Sequence, residues 1–278
     1  FSFGKSSPTN TQLSIHEHVV VNYDKPPKMK KNLFLILLIL TLISCKKEQF
    51  MTEFYPSGNV KLKVQIDKDS IQNGTYEEYY ENGELKSKTN YVNGQISDSL
   101  FNFYENGKIK DKGIVKNNFP NGWWNYYRSN GGLKEKTEWI IVKDSLHKNQ
   151  SIYFDQKGKI KYDTSSFFEL KIPDTIHLDK NIARFNYNSN FNVYKRLIYV
   201  VVENKYSENE TKLDTFGIKD NDFWFGVYGY KKGKQNIKGQ IVEELYEIKN
   251  IGNDSAIGTV SNHKKYFEKE VYVSDKNN

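Results

Sequence analysis

Apolar and polar residues alternate over short stretches along much of the chain. Val60, Leu62, Val64 and Ile66 stand between Lys61, Lys63 and Gln65, a period of two that puts apolar groups on one face of a strand and polar groups on the other. The aromatic-rich segments 75–80, 100–104 and 123–127 supply further strands. The strands are punctuated by Gly58, Gly83, Gly107, Gly131 and Gly158, at spacings of 25, 24, 24 and 27 residues. An aliphatic residue and then a lysine follow each glycine, giving Val60-Lys61, Leu85-Lys86, Ile109-Lys110, Leu133-Lys134 and Ile160-Lys161. Asn82-Gly83, Asn106-Gly107 and Asn130-Gly131 tolerate the positive φ of tight hairpin turns, so each glycine is read as a hairpin tip. Tyr55, Tyr80 and Tyr104 precede their glycines by three residues, whereas Tyr127 and Phe154 precede theirs by four. That offset predicts one extra turn residue in the last two copies, and residues 144–150 interrupt the period. Alternation puts Val60, Leu85, Ile109, Leu133 and Ile160 on one face and the five lysines on the other.

The phrase Tyr79-Tyr80-Glu81-Asn82-Gly83-Glu84-Leu85-Lys86 resembles that of the bacterial MORN-variant repeats, and the likeness extends over about residues 51–165. It implies β-hairpins laid side by side in an elongated antiparallel sheet. It also implies a kinship with antitoxin-like proteins and carries over no catalytic residues.

The repeat rhythm stops near Ser166. Residues 197–202 form a continuous apolar run suited to a strand buried on both faces, and 223–230, 237–248 and 266–273 are further strands. Turn clusters at 219–222, 231–234 and 252–255 separate them at intervals suited to a β-sandwich over 166–278, with a small barrel as the alternative. The predicted class is therefore all-β: an elongated antiparallel hairpin-repeat sheet followed by a β-sandwich-like domain. Composition agrees, since 20 tyrosines stand against only two alanines, Ala183 and Ala256.

The segment 29–44 opens with Met29, Lys30 and Lys31, runs through eleven apolar residues from 33 to 43, and ends at Leu42-Ile43-Ser44 before Cys45. Eleven residues are too few to span a bilayer but suit a signal-peptide core. The segment resembles a bacterial lipoprotein signal, which implies that Cys45 is acylated and anchors the protein to a membrane. Residues 1–28 are read as an upstream or unstructured extension and 45–50 as a tether. Lys46 and Lys47 follow the cysteine with no Asp beside it, which favours the outer membrane within the cell envelope.

Charge narrows the partners. The net charge of +7 includes +3 from residues 1–44, leaving a mildly basic remainder with interleaved acids, which argues against nucleic acid. The single cysteine excludes a disulfide framework and multi-cysteine metal sites. No zinc-protease helix, nucleophile elbow or phosphate loop occurs, and His147, His177 and His263 share no local motif. Asp220-Asn221-Asp222 lacks the glycine and glutamate of a calcium loop and reads as a polar turn. No metal, cofactor or enzymatic activity is expected. The candidate binding residues are Lys61, Lys86, Lys110, Lys134 and Lys161, as a ladder for an anionic glycan or protein, and Trp123 and Trp124, as platforms for sugar rings. Both sets also have plain structural readings, as a solubilising face and as packed aromatics. Should the lysines fail, Phe223, Trp224, Phe225 and Tyr228 are the next candidates. Five Asp-Ser/Thr-aliphatic-or-small triplets resemble an O-glycosylation sequon, at Ser70, Ser99, Ser145, Thr175 and Ser255. The favoured function is a lipid-anchored envelope protein with a non-enzymatic binding or scaffold surface; the alternatives are an immunity or antitoxin-like protein and a carbohydrate-binding accessory lipoprotein.

Overall fold

Glycine at each tip and alternating strands between them build a meander. The computed structural model describes residues 48–275 except 98, 194, 218–222 and 253–254, and leaves out the side chains of 250–255. The signal segment, Cys45, Asp98, the 220–222 triplet and the side chain of Ser255 thus lie outside the described residues. What is described contains eighteen strands and no helix, so the protein is all-β.

The first ten are β1 (Gln49–Phe54), β2 (Val60–Ile66), β3 (Gln72–Tyr79), β4 (Leu85–Val92), β5 (Gln95–Ile96), β6 (Ser99–Phe103), β7 (Ile109–Lys116), β8 (Phe119–Tyr127), β9 (Leu133–Val142) and β10 (Ser145–Tyr153). They form one antiparallel sheet in chain order, with the short β5 paired to β4 alone. The sheet starts before residue 51, because Gln49 and Phe50 already pair with Ile66 and Gln65.

Each glycine tip is a type I turn closed by a left-handed glycine. At Gly83 φ is +87°, its amide donates to Tyr80 O at 2.9 Å, and Tyr80 N donates to Glu84 O at 2.8 Å. The asparagine before it does not take positive φ; its side-chain oxygen instead accepts the Glu84 amide at 3.0 Å. The last two tips have the same length as the others, with the turn running from Arg128 to Gly131 and from Asp155 to Gly158. The expected extra turn residue is absent: Arg128 and Asp155 occupy the place that tyrosine holds in the first three copies. Nor does the segment 144–150 break the array. Lys143 and Asp144 are the positive-φ pair of an ordinary hairpin turn, and β10 follows as the next strand.

One expectation about faces fails for a clear reason. In the first four units the register slips by one residue at the recurrent lysine, so that Phe54 pairs with Val60 but Glu53 with Leu62, and Tyr79 pairs with Leu85 but Glu78 with Ser87. The lysine is the unpaired residue of a β-bulge, and the bulge resets the alternation. Val60 therefore parts from Leu62 and Val64, and Leu85 from Ser87 and Thr89. Among the buried side chains of the sheet, Val64, Thr89, Val115, Trp124 and Thr137 lie beyond the bulges.

Eight more strands follow: β11 (Phe167–Lys171), β12 (Thr175–His177), β13 (Asp179–Asn188), β14 (Lys195–Lys205), β15 (Thr211–Gly217), β16 (Phe223–Gly229), β17 (Gly233–Gly252) and β18 (Ser255–Ser274). They make a three-stranded sheet, β11-β13-β16, and a five-stranded one, β12-β18-β17-β14-β15. Both sheets contribute to one core. Phe185 and Phe225 come from the first, Val200, Ile237 and Phe267 from the second, and the Phe225 and Phe267 rings meet at 5.7 Å between centroids. In β14 the apolar run is buried on one face only: Val200 and Val202 are in the core while Leu197 is exposed. The described residues from 48 to 275 belong to a single compact unit, without a break at the end of the repeats.

Candidate functional site

The bulge decides what the recurrent lysines can do. The unpaired lysine of the bulge can turn toward the partner strand, and in the first two units it meets the side chain eight positions earlier. In the first two units that residue is glutamate: Lys61 Nζ lies 3.5 Å from Glu53 and Lys86 Nζ 2.6 Å from Glu78. The Glu78 hydrogen bond holds the Lys86 ammonium above the usual lysine range. At the same offset the next three units carry Asn102, Tyr126 and Tyr153. Among the described residues no ion pair engages Lys110, Lys134 or Lys161, whereas Lys61 and Lys86 are paired.

Lys134 and Lys161 come together with Arg128 around one recess of about 650 Å³, which Tyr153, Asp155 and Thr164 also line. Arg128 stands where the tip tyrosine would be and donates to Leu133 O and to Phe154 O, so its guanidinium is fixed in place. Asp155 is the opposing charge. The backbone amides of Lys159 and Lys157 donate to its Oδ1, holding its carboxyl below the ordinary range, and the Lys159 and Arg128 charges act in the same direction. The sequence pattern identified both lysines but not Arg128, which the shifted aromatic disguised.

The two tryptophans separate, as neighbours in a strand must. Trp124 is buried, with its Nε1 donating to Ile114 O at 3.0 Å, and cannot act as a stacking platform. Trp123 remains 38% exposed on the opposite face. Of the further aromatics, Phe223 and Phe225 are core residues whereas Trp224 is exposed. Ser70 sits in the exposed turn after β2, Ser145 is exposed at the start of β10 and Thr175 is exposed in β12, whereas Ser99 is half-buried in β6.

Sequence reasoning missed a buried polar cluster where the repeat sheet meets the second core. Glu243 is fully buried, accepts the Tyr187 hydroxyl at 2.9 Å and has Arg196 Nε at 3.6 Å. His263 pairs across the strands with Glu243, and burial pushes its imidazole below the usual range. Two residues on, Lys265 is 2% exposed, and its Nζ donates to Asn149 O at 2.8 Å and Ser166 O at 3.3 Å. Desolvation lowers its pKa to about 8, with Glu243 only partly opposing that shift. Asn149 completes the joint by donating to Tyr266 O and accepting from Tyr266 N. The strand pattern of β18, charged at 263–265 amid apolar alternation, is the one signal that could have pointed here. The basic recess does not reach this cluster and the groove described below touches it only at Tyr266 and through Asn149, so its evident work is to hold β10 and β11 against β18.

Residues 72–93, which span β3 and β4, match the sequence profile of the MORN repeat variant. No curated protein and no solved structure gives a significant match to the chain.

Proposed function

We propose that the protein is a lipid-anchored component of the bacterial cell envelope, held at the outer membrane through Cys45, whose repeat sheet binds an anionic glycan without catalysing a reaction. The observation that carries the reading is the change in pairing along the array: glutamates pair with the first two recurrent lysines, while among the described residues Lys110, Lys134 and Lys161 make no ion pair and Arg128 is fixed beside two of them. Repeat sheets offer an extended row of equivalent positions, and a row of like charges suits a polymer with a repeating anion.

The test replaces Lys110, Lys134 and Lys161 with Gln and measures retention of heparin and polygalacturonate at rising salt. Binding should weaken roughly tenfold and lose most of its salt dependence, with the melting temperature nearly unchanged because exposed charges contribute little to stability. Unaltered retention overturns the site. Equal binding of poly-glutamate replaces the glycan with an acidic protein. Cys45→Ala gives the anchoring arm: loss of labelled palmitate is expected, and normal labelling rejects the anchor.

A further inference from the structure

A second recess adjoins the joint and is lined by residues of β8, β9, β10, β11, β14, β15, β17 and β18. It measures about 720 Å³, within the range of small-ligand sites. Its chemistry differs from that of the basic recess. Trp123 forms one wall, Phe168, Tyr266 and Phe267 contribute rings opposite, and Glu138 and Glu268 stand among them. Gly239 keeps its base open, since a Cβ there would stand 2.7 Å from Val201 O and 2.4 Å from the Phe267 ring.

Glu138 is set up as an acceptor rather than as a counter-ion. Glu138 Oε2 takes hydrogen bonds from Asn149 Nδ2 at 2.6 Å and Gln150 Nε2 at 2.7 Å, and both amides belong to buried residues. Its Oε1 has no protein partner among the described residues, so a fixed acceptor is left for something that enters. Glu268 is already neutralised, with Lys238 Nζ at 3.2 Å and Asn236 Nδ2 at 3.0 Å. Glu203 adds another carboxylate, so the lining repels an anion. A half-exposed indole beside oriented carboxylate and amide groups suits the apolar ring face and hydroxyl edge of an uncharged sugar.

We propose that this groove binds a short neutral oligosaccharide, with Trp123 stacking on a ring and Glu138 accepting its hydroxyls. The site is independent of the lysine row, because it shares no residue with it. The test uses the full chain solubilised in detergent, titrated by tryptophan fluorescence and calorimetry with cello-, malto-, xylo- and manno-oligosaccharides, oligogalacturonate and spermidine. At least one neutral oligosaccharide should saturate. Trp123→Ala should weaken it by about tenfold or more, Trp123→Phe should weaken it less, and the triple lysine variant should bind as wild type. Trp123 is half-exposed, so its variants should keep the wild-type circular dichroism, which separates lost binding from lost folding. The proposal falls if no neutral oligosaccharide saturates below about 10 mM, if Trp123→Ala binds undiminished, or if oligogalacturonate or spermidine binds in preference.

Discussion

Gly113 and Trp124 show how much a single position can decide. The indole of Trp124 lies over the Gly113 backbone, and a Cβ on residue 113 would stand 2.4 Å from ring atoms, far inside van der Waals contact. The ring has little freedom to retreat, being 5% exposed and tied by Nε1 to Ile114 O. Gly113→Ala should therefore cost about 2 kcal/mol, as overpacking of a filled core does, read as a lower midpoint in chemical denaturation. An unchanged midpoint would mean that the indole shifts without penalty. Adjacent strand residues face opposite ways, so only one ring of the Trp123-Trp124 pair can serve as a platform, a constraint that naming both as candidates overlooks. Which ring goes in was not legible. That choice depends on the strand's phase, and glycine at 113, a gap on the neighbouring strand, reveals it only once β7 and β8 are seen side by side.

Between neighbouring hairpins the recurrent feature is a tyrosine that reaches into the next unit. Tyr55, Tyr80 and Tyr104 donate their hydroxyls to the backbone oxygens of Tyr79, Phe103 and Tyr127 at 2.8, 2.7 and 2.8 Å. Arg128 makes the equivalent bond to Phe154 O, so the fourth copy keeps the link by other means. Tyr80→Phe should cost about 1 kcal/mol, the usual net worth of such a bond, with wild-type circular dichroism; a larger loss would mean that neighbouring units separate cooperatively. The period, the glycine tips and the antiparallel meander were all legible, because a positive-φ glycine and alternating strands are local properties of the chain. The bulges were not. A bulge is a relation between two strands, and Leu85-Lys86-Ser87 reads as plain alternation until Tyr79 and Glu78 are set opposite it. The same blindness affected the basic recess, since alignment on aromatics took Tyr127 for the tip residue and hid Arg128 as its functional substitute.

At the scale of the molecule the question is what joins ten strands of repeats to the two-sheet core behind them. The hydrophobic core cluster takes no residue from β1–β10, and the contacts that stand out at the joint are polar. Its centre is Lys265, whose ammonium bridges Asn149 O of the last repeat strand and Ser166 O just before β11, with Asn149 locked in turn onto the Tyr266 backbone. No sequence pattern announces such a residue, because a lysine in a strand is ordinarily solvated and only the fold places it 2% exposed. Burial lowers its pKa to about 8 from the ordinary 10.5, and the sign of the consequence is fixed. Below pH 8 folded and unfolded chains both carry the proton, and the cost of burying the charge is at its full value. Between pH 8 and 10.5 the unfolded chain still binds a proton that the folded chain has released, so stability rises with pH and levels off beyond that window. Tyr187, whose hydroxyl burial and Glu243 hold above the tyrosine range, acts in the other direction above pH 10, which confines a clean measurement to the interval up to about pH 9.5. Urea denaturation between pH 7 and 9.5 should show unfolding free energy climbing by on the order of 2 kcal/mol. Lys265→Met should flatten that climb, because the stem still packs while no ionisable group remains, and it should expose β10 to faster hydrogen exchange through the loss of both carbonyl contacts. A climb that persists in the methionine variant would assign the pH dependence to another group, and unaltered exchange in β10 would remove Lys265 as the tie between the two parts of the molecule.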